Sequence, residues 1–418
     1  MYHFKILVRT FYYILLLLVL CSCNSSSEAV GQETPTPPEA VPAAQAWAGQ
    51  TADGIDLYTI PPKLGALALD ELQHRAAQKD PAALYELGRR YGSGERIDRN
   101  PQKAKQLLFE AAEKGDADAQ NELGIAYNQG LFGERDLSKG FEWVQKAAQQ
   151  GHPVAQYNLA DMYEKGEGCQ QNYKEAFNWL EKSAKGEFVP AYAEIGTYYK
   201  YGKGAEQNTS KAINWYKKGA KAGDPKGEFN LGYSFEIGQG VSKDIKNAIF
   251  WYEKALDKGF PAAYSNLGSI YFEGKEAEKN YDKALYYFSE GVRIGDEKSL
   301  INLGVMYLFG EGTSADYRKA YNLFSKACKF ISTKHVAVFN LAQMYENGLY
   351  VNKNLIKAYA LYRSTIKMAP SEPNIKVSIT EADILDSIAT LKAQMSASEI
   401  AAGEAEIPKV MQEYGIVL

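Results

Sequence analysis

The stretch Lys211-Ala-Ile-Asn-Trp-Tyr-Lys-Lys-Gly-Ala-Lys-Ala-Gly-Asp224 decides the reading of this chain, because versions of it recur 36 residues away in both directions. Counting from Trp215, tryptophans fall at Trp143, Trp179 and Trp251, so four of the five Trp in the 418 residues share one column. A repeat of this length is one helical hairpin that cannot bury its apolar face alone and stacks on its neighbours to do so. The period therefore predicts an all-α solenoid and overrides the two or three globular domains that the length alone would suggest.

Each 36-residue frame opens on a helix carrying Ala, then Leu four residues on, then an aromatic four residues later. The Leu column is Leu87, Leu123, Leu159, Ile195, Leu231, Leu267, Leu303 and Leu341. The aromatic column is Tyr91, Tyr127, Tyr163, Tyr199, Phe235, Tyr271, Tyr307 and Tyr345. Spacing of i, i+4, i+8 keeps these on one helical stripe, the expected buried one. A loop follows with glycines such as Gly166/Gly168, Gly202/Gly204, Gly238/Gly240 and Gly310/Gly312, which end the first helix by accepting positive φ.

The most regular column comes next: Asn100, Asp136, Asn172, Asn208, Asp244, Asn280, Asp316 and Asn354. A short side-chain acceptor there predicts an N-cap for every second helix. Four residues after the cap stands a small residue, Ala in seven units and Gly140 in one. Three further on stands a large one: Leu107, Trp143, Trp179, Trp215, Trp251, Tyr287, Leu323 and Leu361. Small opposite large lets two helices interlock, and burying one such Trp removes roughly 150 to 250 Å², about 4 to 6 kcal/mol gross. The Trp column reads as core packing rather than as an aromatic box for a ligand.

These motifs, A-x-x-x-L-G-x-x-Y, a Gly-rich loop, Asn/Asp-x-x-K-A-x-x-W and a closing A-x-x-G, resemble the Sel-one-like repeat, a relative of the tetratricopeptide repeat. Tyr199, Ala212, Trp215, Gly223 and Gly232 carry the pattern most cleanly. The resemblance covers residues 80–366 as eight units and implies a right-handed α/α superhelical solenoid. Ala160 and Ala342 depart from the column Gly, and the eighth unit runs two residues late after Phe330.

The ends differ in composition. Residues 1–22 read as a lipoprotein signal peptide: Lys5 and Arg9 precede an apolar run from Phe11 to Leu20, and Leu20-Cys21-Ser22-Cys23 resembles a lipobox with Cys23 as the acylated residue. The run is about half the ~20 residues that span a bilayer. A lipid on Cys23 would hold the chain to a membrane leaflet, and by resemblance to enteric lipoproteins Asn24 implies the outer membrane, periplasmic or surface-facing. Residues 23–50, rich in Ser, Pro and Ala, read as a tether. Residues 51–79 read as an N-terminal capping half-repeat with Ala68, Leu72 and Ala76 in the second-helix columns. Residues 367–418 read as a C-terminal helical cap, with a helix from Glu381 to Gln394 and a second starting at the capping box Ser396-x-x-Glu399, then meeting Gly403 and Pro408.

The chain's net charge is −4, and losing Lys5 and Arg9 with the leader makes it −6. That balance argues against nucleic acid, whose phosphates demand a basic stripe. Cys169 and Cys328 fall in loop and small-residue columns, and a separation of more than four units argues against a disulfide between them. The four histidines, His3, His74, His152 and His335, show no metal spacing and read as solvated or capping. The cysteine-rich branch of the resembled family implies one alternative, a β-lactam-binding or hydrolysing enzyme. Its paired cysteines are missing here, and the sole Ser-x-x-Lys runs from Ser364 to Lys367. No cofactor, metal or small-molecule substrate is expected.

What remains for function is the first-helix face opposite the Leu stripe. Its candidate partner-binding residues are Tyr85, Arg89, Tyr157, Asp161, Phe229, Tyr233, Phe272, Ile301, Val305, Leu308 and Phe339, apolar from the fifth unit on. Two readings stay open: an apolar groove for a protein partner, or packing against the next unit. The expectation is a non-enzymatic scaffold on the bacterial envelope, with a toxin, a host protein or an assembly machine as implied partners.

Overall fold

A computed structural model describes residues 64, 67–131, 133, 135–274, 278–366, 368 and 379–416. The leader, Cys23, the tether and most of 51–66 lie outside the described residues, as does Lys367.

Among the described residues there are 19 helices and no strand. Helix α1 (Leu69–Ala77) precedes eight hairpins. Their first helices are α2 (Pro81–Ser93), α4 (Ala117–Gln129), α6 (Pro153–Lys165), α8 (Pro190–Tyr201), α10 (Pro225–Ile237), α12 (Ala262–Glu273), α14 (Glu297–Phe309) and α16 (Ile331–Asn347). The second helices are α3 (Pro101–Glu113), α5 (Leu137–Gln149), α7 (Tyr173–Lys185), α9 (Thr209–Ala222), α11 (Ile245–Asp257), α13 (Tyr281–Ile294), α15 (Tyr317–Ala327) and α17 (Leu355–Ile366). Helices α18 (Glu381–Lys392) and α19 (Ala397–Glu413) end the chain. The chain divides within α10 into two compact units, an N-terminal one to Asn230 and a C-terminal one from Leu231.

The hairpin is closed by the same two bonds every time. The Asn/Asp side chain accepts from a backbone N–H two or three residues on, as from Lys103, Lys139, Lys211, Lys283, Lys319 and Lys357 at 2.9 to 3.0 Å. Asn172 and Asp244 do likewise. Each cap's own N–H donates to the carbonyl of the column aromatic, from Asn100 to Tyr91 at 2.8 Å through Asn354 to Tyr345 at 2.8 Å. One residue thus starts the second helix and satisfies an orphan carbonyl at the end of the first. The loop glycines hold φ of 64 to 73° at Gly166, Gly168, Gly202, Gly204, Gly238, Gly240, Gly310 and Gly312, where any other residue is strained.

The Leu column is buried in all eight units. The Trp column is not: Trp143, Trp179, Trp215 and Trp251 are half-buried. The next residue is buried in every unit, Leu108, Val144, Leu180, Tyr216, Tyr252, Phe288, Phe324 and Tyr362, whereas of the large column itself Leu323 and Leu361 alone are buried. The physical reason is register. The small residue and the residue four later stack on one helix face, whereas the Trp, three later, sits on its flank. The Gly after the column Leu receives that large side chain, since a Cβ on Gly268 would lie 2.5 Å from the Phe288 ring and one on Gly304 2.6 Å from Phe324.

The displaced eighth unit absorbs its extra residues at the start of α16, which runs 17 residues from Ile331 and leaves that side chain 90 % exposed. At the N-terminal end, α1 buries Leu72 and Ala76 against the first hairpin. At the other end α18 and α19 pack on α17, adding Ile384, Ile388, Leu391, Val410 and Met411 to the core. Both end helices open on capping boxes, at Thr380/Asp383 and Ser396/Glu399. Helix α19 runs through both Gly403 and Pro408, and Gly403 packs on Tyr359, where a Cβ would lie 2.5 Å from the ring.

Candidate binding face

The first-helix face divides into a polar half and an apolar half, and the two fare differently. In the C-terminal unit Tyr233, Phe272, Ile301, Val305, Leu308 and Phe339 are all buried, at 1 to 6 % exposure. Phe229, at the end of the N-terminal unit, is buried as well. Phe272, Ile301, Val305, Leu308 and Phe339 belong to one continuous core that also takes in Ile379, Ile384 and Leu391 of the C-terminal segment. The open-groove reading fails for these residues. The five large apolar side chains of that core gain more by packing together than by facing water.

In the N-terminal unit the candidates Tyr85, Arg89, Tyr157 and Asp161 are polar and half-buried. Tyr85 donates its phenol to Glu122 Oε1 at 2.7 Å, and Tyr157 donates to Glu194 Oε1 at 3.3 Å. Between them Asn158 Nδ2 donates to Asn121 Oδ1 at 2.9 Å. All three bonds span 37 residues, one period plus one, so they rung the hairpins together across the face. Below this row Tyr198 donates to Glu164 Oε2 at 2.7 Å, with Lys203 on the other oxygen at 3.0 Å. Lys226 pairs with Glu194, and His152 bridges units by accepting from Ala155 N–H through Nδ1 while Nε2 lies 2.8 Å from Asp118.

Burial shapes the electrostatics of this face. It pushes the Glu122 carboxyl up to about 7, against the Tyr85 hydrogen bond, and holds Asp161 above the usual range despite Lys165 at 2.9 Å. Burial and neighbouring carboxylates raise the Tyr85 and Tyr198 phenols, which stay protonated donors. Arg89 is already engaged: its guanidinium meets Glu86 at 2.9 Å and Glu95 at 2.7 Å, while Glu86 also holds the buried Arg90 at 2.9 Å. Arg90 Nη2 in turn donates to Leu67 O at 2.9 Å, fastening the capping segment to the first hairpin.

Sequence reasoning placed Tyr85, Tyr157, Asp161 and Glu164 on this face but missed Glu122, Asn158 and Glu194, their neighbours. The signal was a period of 37 rather than 36, invisible when only column-to-column identity is compared. It also underused the Lys of Asn/Asp-x-x-K, which lies over the column aromatic, as Lys103 over Tyr91 at 4.4 Å and Lys357 over Tyr345 at 4.7 Å.

Chemistry is sparse on the described surface. Ser364, the Ser-x-x-Lys serine, is fully buried and donates to Ala360 O at 2.8 Å. Cys169 and Cys328 are free thiols, and burial pushes Cys328 up to about 12, far from a nucleophilic thiolate. Burial also lowers the His335 imidazole to about 4. Among the described residues no group of three metal-binding side chains forms, and no helix is long and apolar enough to cross a membrane.

The Sel1 repeat model matches eight consecutive segments spanning 81–369, one for each hairpin. The chain belongs to the Sel1 repeat family. A Sel1 repeat protein from Oxalobacter formigenes is 32 % identical, with a TM-score of 0.51, over 53 % of this chain and 89 % of that one. A protective antigen of uropathogenic Escherichia coli with the same repeat fold, c5321, is 22 % identical over 83 % of this chain and 87 % of its own, at a TM-score of 0.43. The immunity protein Pa5087 of Pseudomonas aeruginosa is 22 % identical over 50 % of this chain and 81 % of its own, at 0.38. No match was found among curated proteins. A Sel1 array is a protein-interaction scaffold in general terms, and its hairpins supply surface rather than reacting groups.

Proposed function

We propose that this Sel1 repeat protein is a non-enzymatic scaffold of the bacterial envelope that binds a protein partner on the first-helix face of its N-terminal unit. The observation that carries the reading is the contrast between the halves: the polar rungs Tyr85–Glu122 and Tyr157–Glu194 are half-buried, with half-buried Asn158 bonded to a buried Asn121, whereas the apolar columns of the other unit are spent wholly on its core. The lipobox at Cys23 supports anchoring at the outer membrane, and neutralisation of a toxin or contact with a host protein are roles consistent with that address. A photo-crosslinking residue at Asp161 or Lys165 should trap a partner in the source bacterium, while one at exposed Lys326 of the other unit should not. Equal trapping at both positions, or at neither, rejects the assignment. The enzyme alternative has little support from a buried Ser364 and a protonated Cys328. Covalent labelling by a fluorescent penicillin would revive it.

A further inference from the structure

Three second helices of the N-terminal unit carry an excess of lysine. Helices α5, α7 and α9 together hold nine lysines against three glutamates, a balance of +6 in a chain whose total is −4. The flanking second helices α3 and α11 each balance at zero, with two lysines against two carboxylates. The first helices interleaved with the basic ones, α4, α6 and α8, sum to −3, so charge is segregated by helix within one unit.

The basic helices also share one arrangement. Three residues after each Trp stands an exposed Lys whose ammonium lies over the indole: Lys146 over Trp143 at 3.8 Å, Lys182 over Trp179 at 3.5 Å and Lys218 over Trp215 at 4.9 Å. A cation held on a ring face loses freedom before any partner arrives, which lowers the ordering cost of binding. We infer that this Lys–Trp row is a docking surface for an acidic, carboxylate-rich polypeptide segment.

The chemistry of the row selects that partner. The indoles are half-buried with a lysine across the ring, so they offer no open face for stacking a nucleobase and no protruding side chain to enter a lipid interface. What is left is a line of single ammonium groups, and Lys acts as a point charge suited to one carboxylate apiece. The basic helices pack on the first helices between them rather than on one another, so their ammonium groups stand apart along the array. An extended chain with many carboxylates can offer one to each.

The inference rests on the protein-binding reading and names the chemistry of the partner. Its test uses the full chain and a synthetic glutamate-rich peptide, followed by Trp fluorescence and calorimetry. Binding should weaken at least tenfold between 50 and 300 mM salt, and K182E/K218E should abolish it. The neutral pair K182Q/K218Q should weaken it, and the charge reversal K326E/K329E elsewhere should leave it unchanged. No peptide binding, equal binding by both charge-reversed variants, or a preference for an oligonucleotide or an anionic vesicle over the peptide overturns the inference. If the peptide fails while Asp161 still crosslinks a partner, the docking row is wrong and the scaffold reading stands.

Discussion

At the scale of single residues, the informative groups are those that burial holds in the wrong charge state. Glu122 sits between hairpins with its carboxyl raised to about 7, chiefly by desolvation, with Asp118 and Asp116 adding to the rise. From about pH 4.5 to 7 the folded chain keeps this proton while the unfolded chain has lost it. Stability then falls as pH rises through that window and levels off above it. Glu122→Gln removes the ionisation yet keeps an acceptor for Tyr85. The variant should be more stable than the wild type at pH 8 and indistinguishable at pH 5, read as urea midpoints. A gap that is the same at both pH values would refute the assignment. The caps make a second prediction: Asn208→Ala leaves the Lys211 N–H without its 2.9 Å acceptor and should cost about 1 kcal/mol.

At the scale of elements, the second helix explains which large residue matters. Tyr287 and Phe288 are neighbours of similar size, but Phe288 is 2 % exposed and fills the space left by Gly268, whereas Tyr287 is half-buried and stacks on Tyr271 at 5.8 Å. Phe288→Ala should cost about 3 to 5 kcal/mol and Tyr287→Ala less than about 2. Chemical denaturation of the two variants separates the helix flank from the helix face, and a reversed order would show the register to be misread. The helices themselves were legible, because Asn or Asp before a helix and Gly after it act through local backbone geometry. The flank was not legible, since a Trp three residues from a small position is periodic whether it lies in the core or beside it.

At the scale of the whole molecule, neighbour-only stacking means that damage should stay local. Gly403→Ala places a methyl 2.5 Å from the Tyr359 ring and should push α19 off α17. Hydrogen exchange should then lose protection in α16, α17 and α19 while α2 to α8 keep theirs. Loss of protection across the entire chain would argue for one cooperative unit instead of an array. The sequence by itself determined the repeat, its eight units, their caps and their glycine turns, because these follow from interactions within a few residues of one another. Only the tertiary structure decided which columns are covered. The first-helix face is apolar in one unit and polar in the other, and whether such a face is buried depends on neighbouring hairpins and on the C-terminal helices. The rungs Tyr85–Glu122 and Tyr157–Glu194 join positions a period and one apart, so their pairing exists only once the hairpins have stacked.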